Sequence, residues 1–125
     1  MTHRIKNRVI NQSAKGFRGF PLVTVAYYGP NASKATKVVV GLVRFDGAEP
    51  EPLERWFGEE RDLRLDENMT SRILRFVREH GAKSVAAVGA ILGCPHEEGI
   101  DYPEGEACPM CPYWAGRDRW KGVPG

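Results

Sequence analysis

Two pairs of metal-ligand residues lie near the C-terminus of the 125-residue chain. Cys94 and His96 form the first pair, and Cys108 and Cys111 follow after eleven residues. A tetrahedral ion requires such an arrangement, because each pair can turn back on one centre while the loop returns the chain for the second pair. Three thiolates and one imidazole suit zinc best, and an odd number of cysteines argues against a disulfide framework. The spacing therefore predicts a structural Zn²⁺ site with four protein ligands.

The segment around these ligands is rich in glycine and proline and poor in apolar residues. A bound ion would supply the folding free energy that such a loop lacks. The stretch from Cys108 to Pro112, Cys-Pro-Met-Cys-Pro, resembles the knuckles of zinc ribbons and rubredoxin-like sites in that local motif only. A three-ligand or metal-free segment is the alternative, in which Cys94 is a small core residue, His96 faces solvent and the last two cysteines are a redox dithiol.

A catalytic metal is a further alternative. His96 and Glu98 form a His-x-Glu pair ahead of Cys108 and Cys111, which is similar to the signature of zinc nucleoside deaminases. That resemblance implies a small zinc-dependent hydrolase or deaminase-like enzyme with Glu98 as the base. Only nine residues separate Glu98 from Cys108, however, and glycines and prolines between them disfavour a helix. Because Cys94 would occupy the fourth position, we expect a non-catalytic site.

Positive charge is concentrated in the first third of the chain. Residues 1–45 contain eight Lys/Arg and no Asp/Glu, whereas residues 46–125 contain the other ten Lys/Arg and all sixteen Asp/Glu, which gives +8 against −6. A basic segment can attract phosphates or an acidic protein face, or lie against the acidic part of its own chain. The candidate phosphate-facing residues are Arg4, Lys6, Arg8, Lys15 and Arg18.

Aromatic and basic residues alternate after the last metal ligand. Such a segment can stack on unpaired bases while engaging phosphates, or bind a protein groove. The candidates are Tyr113, Trp114, Arg117, Arg119 and Trp120. We expect Trp114 to cover the metal loop or the sheet edge and Trp120 to be the more exposed of the two.

The apolar pattern predicts a small mixed sheet. Leu22–Tyr28 and residues 37–45 are rich in β-branched residues and are separated by a short polar link, so they should pair as an antiparallel hairpin. Residues 84–92 are apolar nearly throughout, which predicts an inner strand that adds a parallel pair.

Two helices are predicted between these strands. Residues 66–80 carry apolar side chains at helical spacing, with Asp66 as the N-cap and Gly81 at the stop position. A short helix is also predicted within residues 49–58, where Pro52 suits a first turn and Gly58 a stop.

These elements indicate an α/β (α+β) fold: a small mixed sheet with a β-hairpin, one main helix packed on it and a C-terminal zinc-stapled loop. We divide the chain into a basic N-terminal arm (residues 1–20), an α/β core (residues 21–92) and a zinc-binding loop with an aromatic, basic tail (residues 93–125), in one compact domain. With 42% hydrophobic and 27% charged residues, a wholly disordered chain is excluded. No apolar run approaches the ~20 residues of a membrane span or follows Met1 as a leader, so we expect a cytoplasmic protein.

Our leading hypothesis is a non-catalytic zinc-binding protein that acts by binding nucleic acid or a nucleoprotein assembly. The alternative is a protein–protein adaptor that uses the acidic metal loop, residues 97–106, as its recognition surface. The zinc-dependent hydrolase or deaminase-like enzyme is the third hypothesis.

Overall fold

The computed structural model describes residues 7–97, 99–106 and 108–114. Its helices and strands, in chain order, are α1 (Arg8–Ser13), β1 (Leu22–Tyr28), β2 (Lys37–Val43), β3 (Leu53–Phe57), α2 (Glu67–Glu79) and β4 (Ser84–Ile91). Short 3₁₀ turns occupy Leu63–Leu65 and Pro112–Trp114. Within the described residues, no helix has both the length and the apolar character needed to cross a bilayer.

The four strands form one mixed sheet in the order β3-β2-β1-β4. β1 and β2 pair antiparallel, with Leu22 opposite Val43 and Tyr28 opposite Lys37, so the predicted hairpin is confirmed. β4 runs parallel to β1. This mixture of antiparallel and parallel pairs confirms the predicted fold class.

Helix α2 covers one face of the sheet and confirms the main predicted helix. Asp66 accepts hydrogen bonds from the backbone N–H groups of Asn68 and Met69, which satisfies two donors of the first turn. At the other end, Gly81 adopts the left-handed conformation (φ 61°) that ends many helices. Ile73 and other apolar residues of α2 are buried in one core cluster with residues of β1, β2 and β4.

The short helix predicted within residues 49–58 is wrong, because this segment forms β3 at the edge of the sheet. Leu53–Phe57 pairs antiparallel with β2, and Trp56, the half-buried residue of this otherwise exposed strand, packs against the core, edge-to-face with Phe76. The favourable helix-start position of Pro52 is overridden by this non-local pairing, and a proline is tolerated beside an edge strand.

The prediction that residues 84–92 form an inner strand is also wrong. β4 lies at the other edge of the sheet, and Val85 and Ile91 are buried while Val88 is 57% exposed. Its alanines make this strand apolar in sequence, but such small apolar side chains do not have to be buried on both faces of the sheet. The outer edge of β4 is covered by α1: the Ser13 hydroxyl lies 3.0 Å from the Ala87 nitrogen and 3.2 Å from its oxygen.

The predicted basic arm, residues 1–20, contains helix α1, which its sequence pattern does not reveal. Six residues are too few for a recognisable apolar period, and among them only Val9 is buried. The helix is positioned by Asn7, whose side chain accepts from the Val9 and Ile10 N–H groups and donates to the Tyr27 hydroxyl. Tertiary contacts therefore stabilise this helix more than local propensity does.

A largely buried ion pair between Arg64 and Asp62 lies next to the link between β1 and β2. The Arg64 guanidinium donates to both oxygens of Asp62, at 2.6 and 3.2 Å to one and 2.9 Å to the other, and to the carbonyl of Gly89 in β4. Burial alone would raise the pKa of Asp62, but the hydrogen bonds from Arg64 and from the Ala35 amide outweigh it and lower that pKa below its usual value. The pair joins three separate parts of the chain.

Candidate metal centre

The four predicted ligands converge at one point. One ligand atom from each of Cys94, His96, Cys108 and Cys111 lies within 4.8 Å of the other three. The His96 Nδ1 atom lies 3.3 Å from the sulfur of Cys94, 3.4 Å from that of Cys108 and 3.5 Å from that of Cys111. The sequence prediction of a Cys₃His cluster able to bind a metal is confirmed.

These separations fit the edges of a small coordination tetrahedron. Zinc–sulfur bonds of about 2.3 Å and a zinc–nitrogen bond of about 2.0 Å at tetrahedral angles place sulfur and nitrogen about 3.5 Å apart. The observed distances of 3.3 to 3.5 Å reach this value at their upper end. The geometry also selects Nδ1 as the histidine atom that would face the ion.

The cluster is screened from solvent. The three cysteines are at most 7% exposed, and Tyr102 and Trp114 pack against them. Burial is the main cause of a raised pKa at both Cys94 and Cys111, and the neighbouring sulfurs add to this effect at Cys111. A cation among the sulfurs would reverse the balance, because it favours the thiolate form.

The first pair of ligands is placed by the end of β4. Beyond the strand, the Leu92 N–H still donates to the Tyr27 carbonyl, and the Gly93 carbonyl accepts from the Gly29 N–H at 2.9 Å. The chain then turns so that the His96 N–H donates to the sulfur of Cys94 at 3.2 Å. Such an N–H to sulfur contact stabilises a thiolate and orients it as a ligand.

The second pair sits in a turn that is fastened to Gly29, just beyond the end of β1. The Cys111 N–H points to the Cys108 carbonyl at 3.4 Å, and the Trp114 N–H donates to the Cys111 carbonyl at 3.0 Å. The indole of Trp114 then donates to the carbonyl of Gly29 at 2.8 Å. Trp114 packs against both the cysteines and the main core, which is the covering role predicted for it.

An ion-pair network ties the metal loop to the open face of the sheet. The ammonium of Lys37 donates to the Pro95 carbonyl at 3.0 Å and to the Glu97 carboxylate at 2.9 Å, and the Arg55 guanidinium binds the same carboxylate oxygen at 2.7 Å. The Lys37 hydrogen bond is the main cause that lowers the pKa of Glu97, assisted by the charges of Lys37 and Arg55. Pro95 and Glu97 flank His96, so the network holds that ligand from both sides.

Sequence reasoning missed Lys37, Arg55 and Gly29 as supports of this site. Lys37 is 4% exposed although it belongs to the basic segment, and Arg55 lies in the segment predicted as a helix. No local pattern marks either residue, because their partner, Glu97, lies at least 42 positions away in the chain. Glu97, within the acidic loop of residues 97–106, serves here as an internal ion-pair partner.

The residues predicted to contact nucleic acid or a partner, where the structure describes them, have different surroundings. Arg8 pairs with Glu67 on α2 at 2.7 Å, whereas Lys15 and Arg18 are exposed. Tyr113 stacks edge-to-face on Trp114 at 4.9 Å between ring centroids. Five of the candidates and the Glu98 side chain proposed as a base lie outside the described residues: Arg4, Lys6, Glu98, Arg117, Arg119 and Trp120.

Comparison with protein-family models, curated proteins and solved structures finds no match for this chain, so the cluster and its supports carry the functional argument by themselves.

Proposed function

We propose that Cys94, His96, Cys108 and Cys111 hold one structural Zn²⁺ ion that fixes the C-terminal loop on the sheet. The observation that supports this most strongly is the convergence of four ligand atoms within 4.8 Å of one another in a largely buried cluster. Three sulfurs and one imidazole nitrogen are the donor set of many structural zinc sites and disfavour calcium or magnesium. When bound, the ion would cross-link the two chain segments that carry the ligands.

A site with four protein ligands has no coordination position left for a reacting water. Catalytic zinc sites keep such a position, so the proposed function is binding rather than hydrolysis or deamination. In this proposal the cysteines and His96 fix the loop through the metal, and the ion pair of Lys37 with Glu97 holds the loop against β2.

Metal analysis of matched histidine variants tests the proposed site. The full chain should copurify with close to one zinc per molecule, and both His96→Ala and Cys108→Ser should lower the zinc content. His80→Ala is the control, because His80 ends α2 and its ring nitrogen contacts the Phe76 carbonyl. Full zinc content in His96→Ala and Cys108→Ser, or equal loss in His80→Ala, would contradict the assignment.

We infer that the surface of the acidic metal loop, residues 97–106, binds a protein partner, as the adaptor hypothesis states. Two observations support it. Arg8 and Lys37, both from the basic segment, form ion pairs with Glu67 and Glu97 of the same chain, so part of the +8 charge is balanced internally. The acidic loop also carries the exposed Ile100, which lines a common concavity with the exposed Met110. A protein partner should bind with only a modest dependence on salt.

Nucleic-acid or nucleoprotein binding is the second candidate, and the charge asymmetry of the chain with exposed Lys15 and Arg18 favours it. It predicts affinity for DNA or RNA that falls steeply with salt, with a slope of about 0.9 per neutralised phosphate for duplex DNA. Replacing Arg4, Lys6 and Arg8 by Ala should weaken binding to all sequences alike, whereas Trp120→Ala should act mainly on single strands. Absence of binding at low salt would exclude this candidate.

A further inference from the structure

A groove of about 520 Å³ lies between the metal loop and residues of β2 and β3. Lys37 of β2 and Phe57 of β3 line one side, and Pro95, Ile100 and Met110 of the metal loop line the other. His96 and Cys111 also border it. The volume is within the range of about 300–1,000 Å³ that is typical of ligand sites.

Three large apolar side chains around this groove face solvent. Phe57, Ile100 and Met110 are 65%, 76% and 52% exposed, respectively. Scattered single apolar residues on a surface need no explanation, but three that converge on one concavity indicate a binding site. Aromatic residues and methionine are also enriched where proteins contact each other.

The side of the groove formed by Lys37 offers a hydrogen-bond donor. The ammonium of Lys37 uses two of its N–H bonds on Pro95 and Glu97, and no described residue accepts the third. The ring centroids of Tyr28 and Phe57 lie 5.8 and 5.7 Å from this nitrogen. A bound carbonyl oxygen would complete the donor set of Lys37.

The described side chains around the groove carry no excess of positive charge. Lys34 and Lys37 face the carboxylates of Glu59, Glu97 and Asp101, and the guanidinium of Arg55 that pairs with Glu97 balances the third carboxylate. A zinc ion with three thiolates would add one negative charge. Glu97 is neutralised by its ion pairs, and Asp101 accepts a hydrogen bond from the Glu97 N–H at 2.7 Å. An apolar concavity with one donor and no excess of positive charge complements an uncharged apolar group and disfavours an anion such as phosphate.

We propose that this groove binds an extended segment of a protein partner that inserts one large, uncharged apolar side chain and presents a backbone carbonyl to Lys37. Every residue of a peptide offers a carbonyl beside its side chain, so a peptide supplies both groups at the required closeness. The inference rests on the proposed zinc site, because Pro95 lies between Cys94 and His96, and Met110 lies between Cys108 and Cys111. One wall of the groove is therefore held by the metal ligands, and partner binding requires the metal.

Nuclear magnetic resonance titration of the zinc-loaded full chain tests the proposal with two uncharged peptides, acetyl-Gly-Phe-Gly-amide and acetyl-Gly-Ser-Gly-amide. The phenylalanine peptide should shift amide signals of Phe57, Ile100 and Met110 and bind about tenfold or more tightly than the serine peptide. Phe57→Ser and Met110→Ser should each weaken this binding while the zinc content stays at one per chain. Phe45→Ser is the matched control, because Phe45 is 63% exposed and does not line the groove.

Each outcome separates the two proposals. A chain that holds one zinc but binds both peptides equally, or not at all, overturns the groove and leaves the zinc site intact. A chain without zinc overturns the proposed function. Selective binding that survives removal of zinc by a chelator contradicts the metal dependence, and a simple ketone such as 4-phenylbutan-2-one that binds more tightly than the phenylalanine peptide identifies a small-molecule site instead.

Discussion

The indole N–H of Trp114 donates a 2.8 Å hydrogen bond to the carbonyl of Gly29, which lies 85 positions earlier in the chain. The N–H of Gly29 donates in turn to the carbonyl of Gly93, just before the first cysteine. One residue at the end of β1 therefore fastens both the entry and the exit of the metal loop. The metal centre is built onto the central strand pair, so its stability and that of the sheet are linked.

Trp114→Phe should lower the free energy of unfolding of the zinc-loaded chain by about 1 kcal/mol. The variant keeps an aromatic ring against the cysteines but removes the indole donor and leaves the Gly29 carbonyl unpaired. Urea unfolding measures the difference. An unchanged unfolding midpoint would show that the hydrogen bond does not hold the end of the loop.

Gly29→Ala should destabilise the fold by about 1–3 kcal/mol or more, because a Cβ at this position would lie 1.8 Å from the backbone oxygen of Lys34. Gly47→Ala is the control: nothing lies within 4 Å of its Cβ position, although its φ of 86° carries a backbone cost of about 1 kcal/mol. Thermal unfolding compares the two variants. A smaller loss for Gly29→Ala than for Gly47→Ala would contradict the close approach.

Lys37→Met should speed the transfer of zinc to a competing chelator, with metal affinity reduced by about 10–100-fold. The substitution keeps a long apolar stem but removes the hydrogen bonds to Pro95 and Glu97 on either side of His96. Arg8→Met is the matched control, because the Arg8–Glu67 pair is more than half exposed on both sides and should contribute less than about 1 kcal/mol. Equal chelation rates in the two variants would remove Lys37 from the support of the site.

Asp62→Asn should destabilise the protein by roughly 3–5 kcal/mol at neutral pH, because it leaves the buried Arg64 without its charged partner. The folded-state pKa of Asp62 is lowered, so its contribution to stability is present above the unfolded pKa and is lost as pH falls through the folded pKa. Unfolding free energies measured from neutral to acid pH should therefore fall less steeply in Asp62→Asn than in the natural chain. Parallel pH curves would contradict the lowered pKa.

Local patterns in the sequence are sufficient for the hairpin, for α2 and for the four ligands. α2 has a capping aspartate, a helical apolar period and a terminal glycine, and the cysteines and His96 have ligand spacing, so each signal is contained within a short stretch. Neither signal depends on how distant parts of the chain pack.

The errors arise where distant residues decide the structure. β3 forms because its backbone pairs with the edge of β2 and because Trp56 packs against Phe76. The sequence of residues 49–58 alone does not indicate either contact. The supports of the metal loop depend on pairs such as Lys37 with Glu97, 60 positions apart. The +8 count for residues 1–45 includes Lys37, although Glu97 of the same chain already neutralises its charge.

X-ray absorption at the zinc K-edge of the full chain distinguishes a closed site with four protein ligands from an open one, because it reports the identity and number of the atoms bound to the ion. We predict zinc with three sulfur ligands at about 2.3 Å and one nitrogen at about 2.0 Å, with no further ligand. The His96→Ala variant should lose the nitrogen contribution. A spectrum with fewer than three sulfurs, or with an additional water oxygen on the ion, would contradict the closed structural site.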